Sequence, residues 1–295
     1  MTAQPDRLQQ ALGRLQAGLE AKRKKPQPTT EQSTAPSVAV LPSKIVQLPL
    51  WGEERRGVPN DLVRSALFTV GNKSHKRAYL KEAVIAALGD IQISYTGEEL
   101  RQDDEDVFLQ ILHLSRTAPL GTHIDFTAYS MLQSLGWTTD GRAYDRLKRA
   151  LIRLKATSLT VSNADRGYAG SLIRTFEWQD PAGAQSRMWR VCLESKIIAL
   201  FGRTAYSQVI WEQRLQLGPV AKWLHSFYFT HADPFPMKAQ TLRTLCGSAV
   251  KDLFKFRQNL KSALDELVTV GFLVSWQIDR HDNVHVERVQ RTSLR

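Results

Sequence analysis

Cysteine is scarce in this chain. Cys192 and Cys246 are the only two, far apart and in no metal-like spacing. That excludes a zinc module or a disulfide scaffold and points to a reducing cytosol. No apolar run approaches the roughly 18–20 residues of a membrane span. The start, "MTAQPDRLQQALGRLQ", carries no signal-peptide core. A cytoplasmic protein with no membrane partner is expected. A GxxxxGK[ST] phosphate loop is missing as well: "VGNKSHKR" at 70–77 lacks the first glycine at the required spacing, so there is no sign of an ATPase. The His pair and Tyr nucleophile of a DNA-nicking enzyme do not assemble either. His281 and His285, in "HDNVH", fall across an expected hairpin turn, and His123, His225 and His231 stand apart. No catalytic residue, metal or cofactor is therefore assigned, and the chain reads as a binder without catalysis. Acidic residues are outnumbered, 29 Asp and Glu against 40 Lys and Arg, for a net charge of +11. Such an excess points to a polyanionic partner, nucleic acid first.

What is present divides the 295 residues into a tail and about two domains. Leu8, Leu12, Leu15 and Leu19 fall on one stripe of an amphipathic helix over about 6–25, which ends in Lys22, Arg23, Lys24 and Lys25. "PQPTTEQSTAPSVAVLPS" follows and reads as a disordered linker. A leucine stripe on a tether has little of its own to pack against and suggests a partner protein; a frayed tail or weak self-association is the alternative. The folded part is expected from Pro59, with a hairpin in "AYLKEAVIAALGDIQISYTG". Asp103, Asp104, Glu105 and Asp106 precede an apolar run, and a solvated helix start is favoured there over a metal site.

Two stretches share one pattern. Residues 125–163 and 236–277 each hold a helix stopping at a glycine (Gly136, Gly247), a short turn, a longer helix and then β-type residues. "LKRALIRL" at 147–154 matches "LKSALDEL" at 260–267, and Leu159 and Val161 fall in step with Phe272 and Val274. Helix, turn, helix and a following β-hairpin make a winged helix. The expected fold is α+β: two tandem winged-helix domains, 59–200 and 201–295, behind a mostly disordered tail, 1–58. At 100° per residue, the first long helix turns Leu147, Ala150, Leu151 and Leu154 inward. Arg142, Asp145 and Arg149 lie opposite, with Arg146 and Arg153 on the flank. On the second, Leu253, Phe256, Leu260, Leu264 and Leu267 face inward, and Lys251, Lys255, Gln258, Lys261 and Ser262 are the candidates for DNA. Arg or Lys suits guanine, Gln suits adenine, and the remaining cations suit phosphate. Two unlike modules on one chain fit an asymmetric site in two successive major grooves, arranged as direct repeats rather than a palindrome.

These residues resemble the plasmid replication initiators of the TrfA type. The likeness is carried by "RSALFTVGN" at 64–72, "ISYTGEELRQDDEDVFLQILHLSR" at 93–116, "SMLQSLGWTTDGRAYDRLKRALIRL" at 130–154 and the second module. The resemblance implies a protein that binds tandem repeats (iterons) at a plasmid origin, helps melt an adjacent AT-rich segment and recruits host replication proteins. It also implies self-association to a dimer held by the first winged domain. "QLPLW" at 47–51 then looks like the short motif by which replication proteins dock on the bacterial sliding clamp: Gln47, Leu48, Leu50 and Trp51 match its places. The alternative is that Leu48, Leu50 and Trp51 pack onto the first domain. By the same logic the Leu8–Leu19 helix engages the host initiator protein or the replicative helicase. A winged-helix transcriptional repressor, a rolling-circle nickase and a DNA-packaging protein are the competing readings.

Overall fold

Leucines recurring every three or four residues in the middle and last thirds of the chain become the buried faces of its helices. The computed structural model describes residues 46–71, 75–164, 167–179, 188–202 and 205–289. The expected helix at 6–25 and the linker after it lie outside the described residues.

In chain order, β1 (Arg55–Pro59) and the short α1 (Asn60–Val63) lead to β2 (Phe68–Thr69), the hairpin strands β3 (Tyr79–Ile85) and β4 (Gln92–Glu98), and β5 (Leu100–Arg101). Helix α2 (Gln102–Ser115) is followed by β6 (His123–Thr127), α3 (Ala128–Ser134) and α4 (Gly141–Lys155). Four strands come next: β7 (Ser158–Ser162), β8 (Gly167–Gly170), β9 (Thr175–Gln179) and β10 (Met188–Cys192). A 3-10 helix, Ser195–Phe201, precedes β11 (Tyr206–Ile210), α5 (Trp211–Leu215) and α6 (Pro219–Phe229). The chain closes with β12 (Met237–Lys238), α7 (Ala239–Leu245), α8 (Leu253–Thr269), β13 (Leu273–Ile278) and β14 (Asn283–Arg288). The fold is α+β.

One plan occurs twice. A buried helix (α2, α6) leads to a strand, a helix pair and two closing strands, and the sheets have matching orders, β6-β10-β9 and β12-β14-β13. The helix pairs are built alike. Gly136 and Gly247 take φ values of +64° and +61°, a region that favours glycine, and end α3 and α7. Asp140 and Asp252 cap the next helices by accepting from the backbone N–H of Ala143 (2.9 Å) and Phe254 (2.8 Å).

The repeat departs from expectation at its strands. Leu159 and Val161 do not correspond to Phe272 and Val274. β7 pairs with β4, placing Leu159 opposite Tyr95 and Val161 opposite Ile93, and with β8 it completes a separate sheet, β3-β4-β7-β8. The counterparts of β13 and β14 are β9 and β10. Alternating buried and exposed residues suit any half-buried strand, and only long-range pairing decides the sheet.

Both domain boundaries also move. The folded part reaches back to Val46: Leu48 is buried, the Leu120 N–H donates to the Val46 carbonyl (2.8 Å), and β1 pairs with β11. Nor do the halves separate at residue 200. That strand pair joins them, the Trp223 indole donates to the Ser65 carbonyl (3.1 Å), and the Val70 N–H donates to the Cys246 carbonyl (3.0 Å). The described residues form one compact unit.

The acidic start of α2 is not solvated. Asp104, Glu105 and Asp106 are at most 2% exposed. Buried carboxylates are costly unless paired, and here cations from both halves supply the partners. Arg153 bonds Asp104 (2.7 Å), Arg77 bonds both Asp104 (2.5 Å) and Asp103 (3.0 Å), and the fully buried Arg214 bonds Asp106 (2.7 Å) and lies 3.4 Å from Glu105. Lys222 also pairs with Asp106. Burial pushes the Asp104 and Glu105 carboxyls above their ordinary values. Burial alone would lower the Arg214 guanidinium, but Glu105 and Asp106 outweigh it and hold it above its usual value. A charge run that reads as a surface is the electrostatic centre of the fold.

Candidate nucleic-acid interface

Helix α4 buries Ala143, Leu147, Ala150, Leu151 and Leu154, the stripe expected from its spacing. The opposite side exposes Arg142, Asp145 and Arg149, and these three predicted site residues come together on one face. Ile152, 43% exposed, continues that face and was not foreseen as part of it. Arg146 and Arg153 do not join them. Arg146 stacks over the Trp137 ring at 3.6 Å and lies 3.3 Å from Asp103, while Arg153 is held in the buried pair with Asp104. Their flank of α4 faces the acidic start of α2, where both are held in ion pairs rather than on the outward face.

Helix α8 differs. Phe256, Leu260, Ala263, Leu264 and Leu267 are buried, and Lys251, Lys255, Gln258, Lys261 and Ser262 are all exposed. The predicted site residues of the second module therefore share one accessible surface. Two features were missed. Phe254, in the first turn of α8, is 64% exposed. The segment after residue 74 also comes alongside: His75 and Lys76 line a cleft of about 960 Å³ together with Lys251, Lys255 and Asn259. The basic run "VGNKSHKR" was the available signal, but nothing local shows that it lies beside a helix some 175 residues further on.

The two histidines of the last hairpin gather at Asp279, His281 from the turn and His285 from β14. Asp279 accepts from the backbone N–H groups of His281 (2.8 Å) and Asn283 (2.9 Å) and from the Asn283 amide (2.9 Å), and His285 Nε2 lies 3.2 Å away. The Asn283 bonds, with His285 and His281 adding to them, hold the Asp279 carboxyl well below the usual carboxylate range. Among the described residues no cluster of His, Cys, Asp or Glu has the arrangement of a metal site, and no helix is long and apolar enough to cross a membrane.

Segment 47–51 lies as a strap across the C-terminal end of α2. Leu48 and Trp51 are buried, and Leu50 is 68% exposed. Gln47 donates to the Arg116 carbonyl (2.9 Å). The Trp51 ring stacks on Phe201 (13° between planes), and its indole donates to His113 Nδ1 (3.0 Å). His113 Nε2 lies 3.0 Å from the Glu53 carboxylate, so the neutral ring accepts at one nitrogen and donates at the other. Burial, with Arg56 adding to it, lowers His113 to about 4, in keeping with that state. Gly57 makes room for the indole, because a Cβ there would meet the ring at 2.6 Å. For Leu48 and Trp51 the packing alternative holds in this structure; Leu50 alone remains in solvent.

A family model described as TrfA protein matches residues 27–288. The plasmid replication initiator protein TrfA of Escherichia coli is 36% identical over 243 residues, which make up 81% of this chain and 63% of that protein. The match thus spans less than two thirds of that relative's length. Two crystal structures of RctB domains 2 and 3, one a selenomethionine derivative, share the fold. Their TM-scores are 0.51 and 0.52 at 12% and 11% identity, covering 76% and 78% of this chain and 95% and 98% of theirs.

Proposed function

The chain belongs to the TrfA family, and from that premise we propose that it is a plasmid replication initiator without catalytic activity, which binds tandem direct repeats in double-stranded DNA at an origin. The observation that carries this reading is the repeated plan. Two helix pairs, each closed by a strand pair in the same sheet order, present an outward face with Arg142 and Arg149 on α4 and Lys251, Lys255 and Gln258 on α8. We take each as a winged-helix unit whose second helix enters a major groove. Binding there favours opening of an adjacent AT-rich region.

The same reading gives the rest of the chain its partners. The leucines at 8, 12, 15 and 19 engage the host initiator protein or replicative helicase, and self-association regulates the active form. Segment 47–51 docks on the sliding clamp, at the cost of releasing Leu48 and Trp51 from their pocket, so docking and packing of the strap compete.

The test is capture of sheared plasmid-bearing DNA by the full chain at physiological salt, followed by sequencing and footprinting. Protected direct repeats beside an AT-rich stretch are expected. A single palindrome at a promoter would make the protein a repressor, and binding with no sequence preference would leave only phosphate contacts.

A further inference from the structure

Large apolar side chains in the first turn of a well-capped helix ordinarily turn inward. On α8 that place is filled by Phe256, 1% exposed, yet Phe254 two residues earlier is 64% exposed. Its backbone is fixed. Asp252 accepts from the Phe254 backbone N–H at 2.8 Å, so the residue that caps the helix also holds the phenyl ring's own backbone. An aromatic side chain with only two torsions loses little further freedom when something covers it.

The surroundings say what covers it. Lys251 and Gln258, about one turn to either side, and the adjacent Lys255 are exposed, and a cleft beside them is lined by Lys76, Lys251 and Lys255. The carboxylates at this end are engaged: Asp252, the cap, accepts from the Phe254 N–H, and Glu99, which also lines the cleft, bonds Arg101 (2.9 Å) and Thr69 (2.6 Å). A lone exposed aromatic between exposed cations suits a polyanion with an apolar spot, and duplex DNA offers phosphates to the cations and base edges to the ring. In the major groove the one apolar group among those edges is the thymine 5-methyl. The N-terminal end of the second helix of such a pair is the part that approaches the bases.

We propose that Phe254 reads a thymine methyl in the half-site bound by the second unit. This rests on the DNA-binding reading above and adds a residue and a base to it. The first unit has no counterpart. Aligning the buried faces, Phe256 with Ala143 and Leu260 with Leu147, sets Phe254 against Gly141. The thymine that Phe254 contacts therefore lies in one half of the repeat only.

The experiment starts from duplexes that the full chain selects out of a random-sequence pool. In the best-bound duplex each thymine is replaced singly by deoxyuracil, which removes the methyl and leaves the base pairing, and affinities are measured at about 150 mM salt. For the unaltered chain, uracil at one position in one half-site should weaken binding about three- to tenfold, the size of about one buried methyl with its contacts. Phe254→Ala should bind the thymine duplex that much more weakly and lose the difference between thymine and uracil at that position. Phe254→Leu should keep part of it. An unchanged melting temperature checks that both variants are folded. Uracil sensitivity that persists in Phe254→Ala, or no sensitive position at all, overturns the assignment to Phe254 while leaving repeat binding intact. A selection that enriches no sequence sinks the DNA-reading premise, and this inference with it.

Discussion

Helices α4 and α8 occupy the same place in the same plan, with the same kind of cap and the same buried stripe, but their cations have different duties. On α4 two of the four outward and flanking arginines, Arg146 and Arg153, reach back to Asp103 and Asp104. On α8 Lys255 and Lys261 stay on the exposed surface, and Arg257 is the cation that pairs, with Asp282 in the last hairpin. The first unit holds the molecule together as well as facing outward; the second is freer to read. Equal topology does not give equal freedom, because the buried helix against which each packs is different: the acidic α2 for α4, and α6, which carries no carboxylate, for α8.

The strongest way to break this contrast is at the shared centre. Arg214→Ala would leave Glu105 and Asp106 buried with too little positive charge, and removing one partner of a buried pair costs about 3–5 kcal/mol. Urea unfolding of the native chain should show one transition, and the variant should lose that much from the whole of it. Two transitions, with only the second half affected, would mean that the halves are separate bodies and that the acidic cluster does not join them.

A smaller effect sharpens the difference within α4. Arg153→Ala should destabilise by about 2 kcal/mol, less than Arg214 because Asp104 keeps Arg77, while the folded fraction binds DNA within about twofold of the native chain. Arg149→Ala, on the exposed face, should change stability by less than about 0.5 kcal/mol and weaken specific DNA binding about tenfold. The opposite pattern would return Arg153 to the interface and remove Arg149 from it.

These two arginines also mark how far the sequence could be read. The buried stripes of α4 and α8, the glycine-ended turns and the outward residues Arg142, Arg149, Lys255 and Gln258 followed from helical spacing alone, since period and burial are local facts. Spacing puts Arg153 on a flank without saying that Asp104 lies beside that flank. Asp104, Glu105 and Asp106 look like a hydrated helix start until Arg77, Arg153 and Arg214 arrive from about 30 residues before to more than 100 after them. β7 could be recognised as a strand but not assigned to a sheet. Trp51 could not be placed without Phe201 and His113, and helical spacing alone does not mark Phe254, two residues before the buried Phe256, as a contact residue.

The strap adds a pH-dependent difference between the halves. His113 is faced by Glu53, Arg56, Arg116 and the Trp51 indole, and its folded value is lowered to about 4 from an ordinary 6.5. The unfolded chain takes up the proton first. The stabilisation is therefore complete above about pH 6.5 and is lost as pH falls toward about 4. Protection of the Trp51 indole hydrogen, measured against its intrinsic exchange rate, should fall over that window. His113→Gln, which keeps an acceptor and does not titrate, should flatten the dependence. A profile unchanged by that substitution would place the titration elsewhere, with His231, also lowered chiefly by burial, as the next group to test.

The smallest change in stability belongs to Leu50. At 68% exposure its side chain holds little of the strap in place, so Leu50→Ala should cost less than about 0.5 kcal/mol. If segment 47–51 docks on a sliding clamp, however, Leu50 is the anchor already in solvent, and the encounter would begin there before Leu48 and Trp51 leave the core. The variant should then lose about tenfold in affinity for purified clamp, the loss typical of a central apolar anchor, with repeat binding unchanged. The two readings of the strap part at this residue. A stable variant that captures clamp as well as the native chain does would make 47–51 a structural brace for the first unit, and the difference between the two units would then be one of architecture alone.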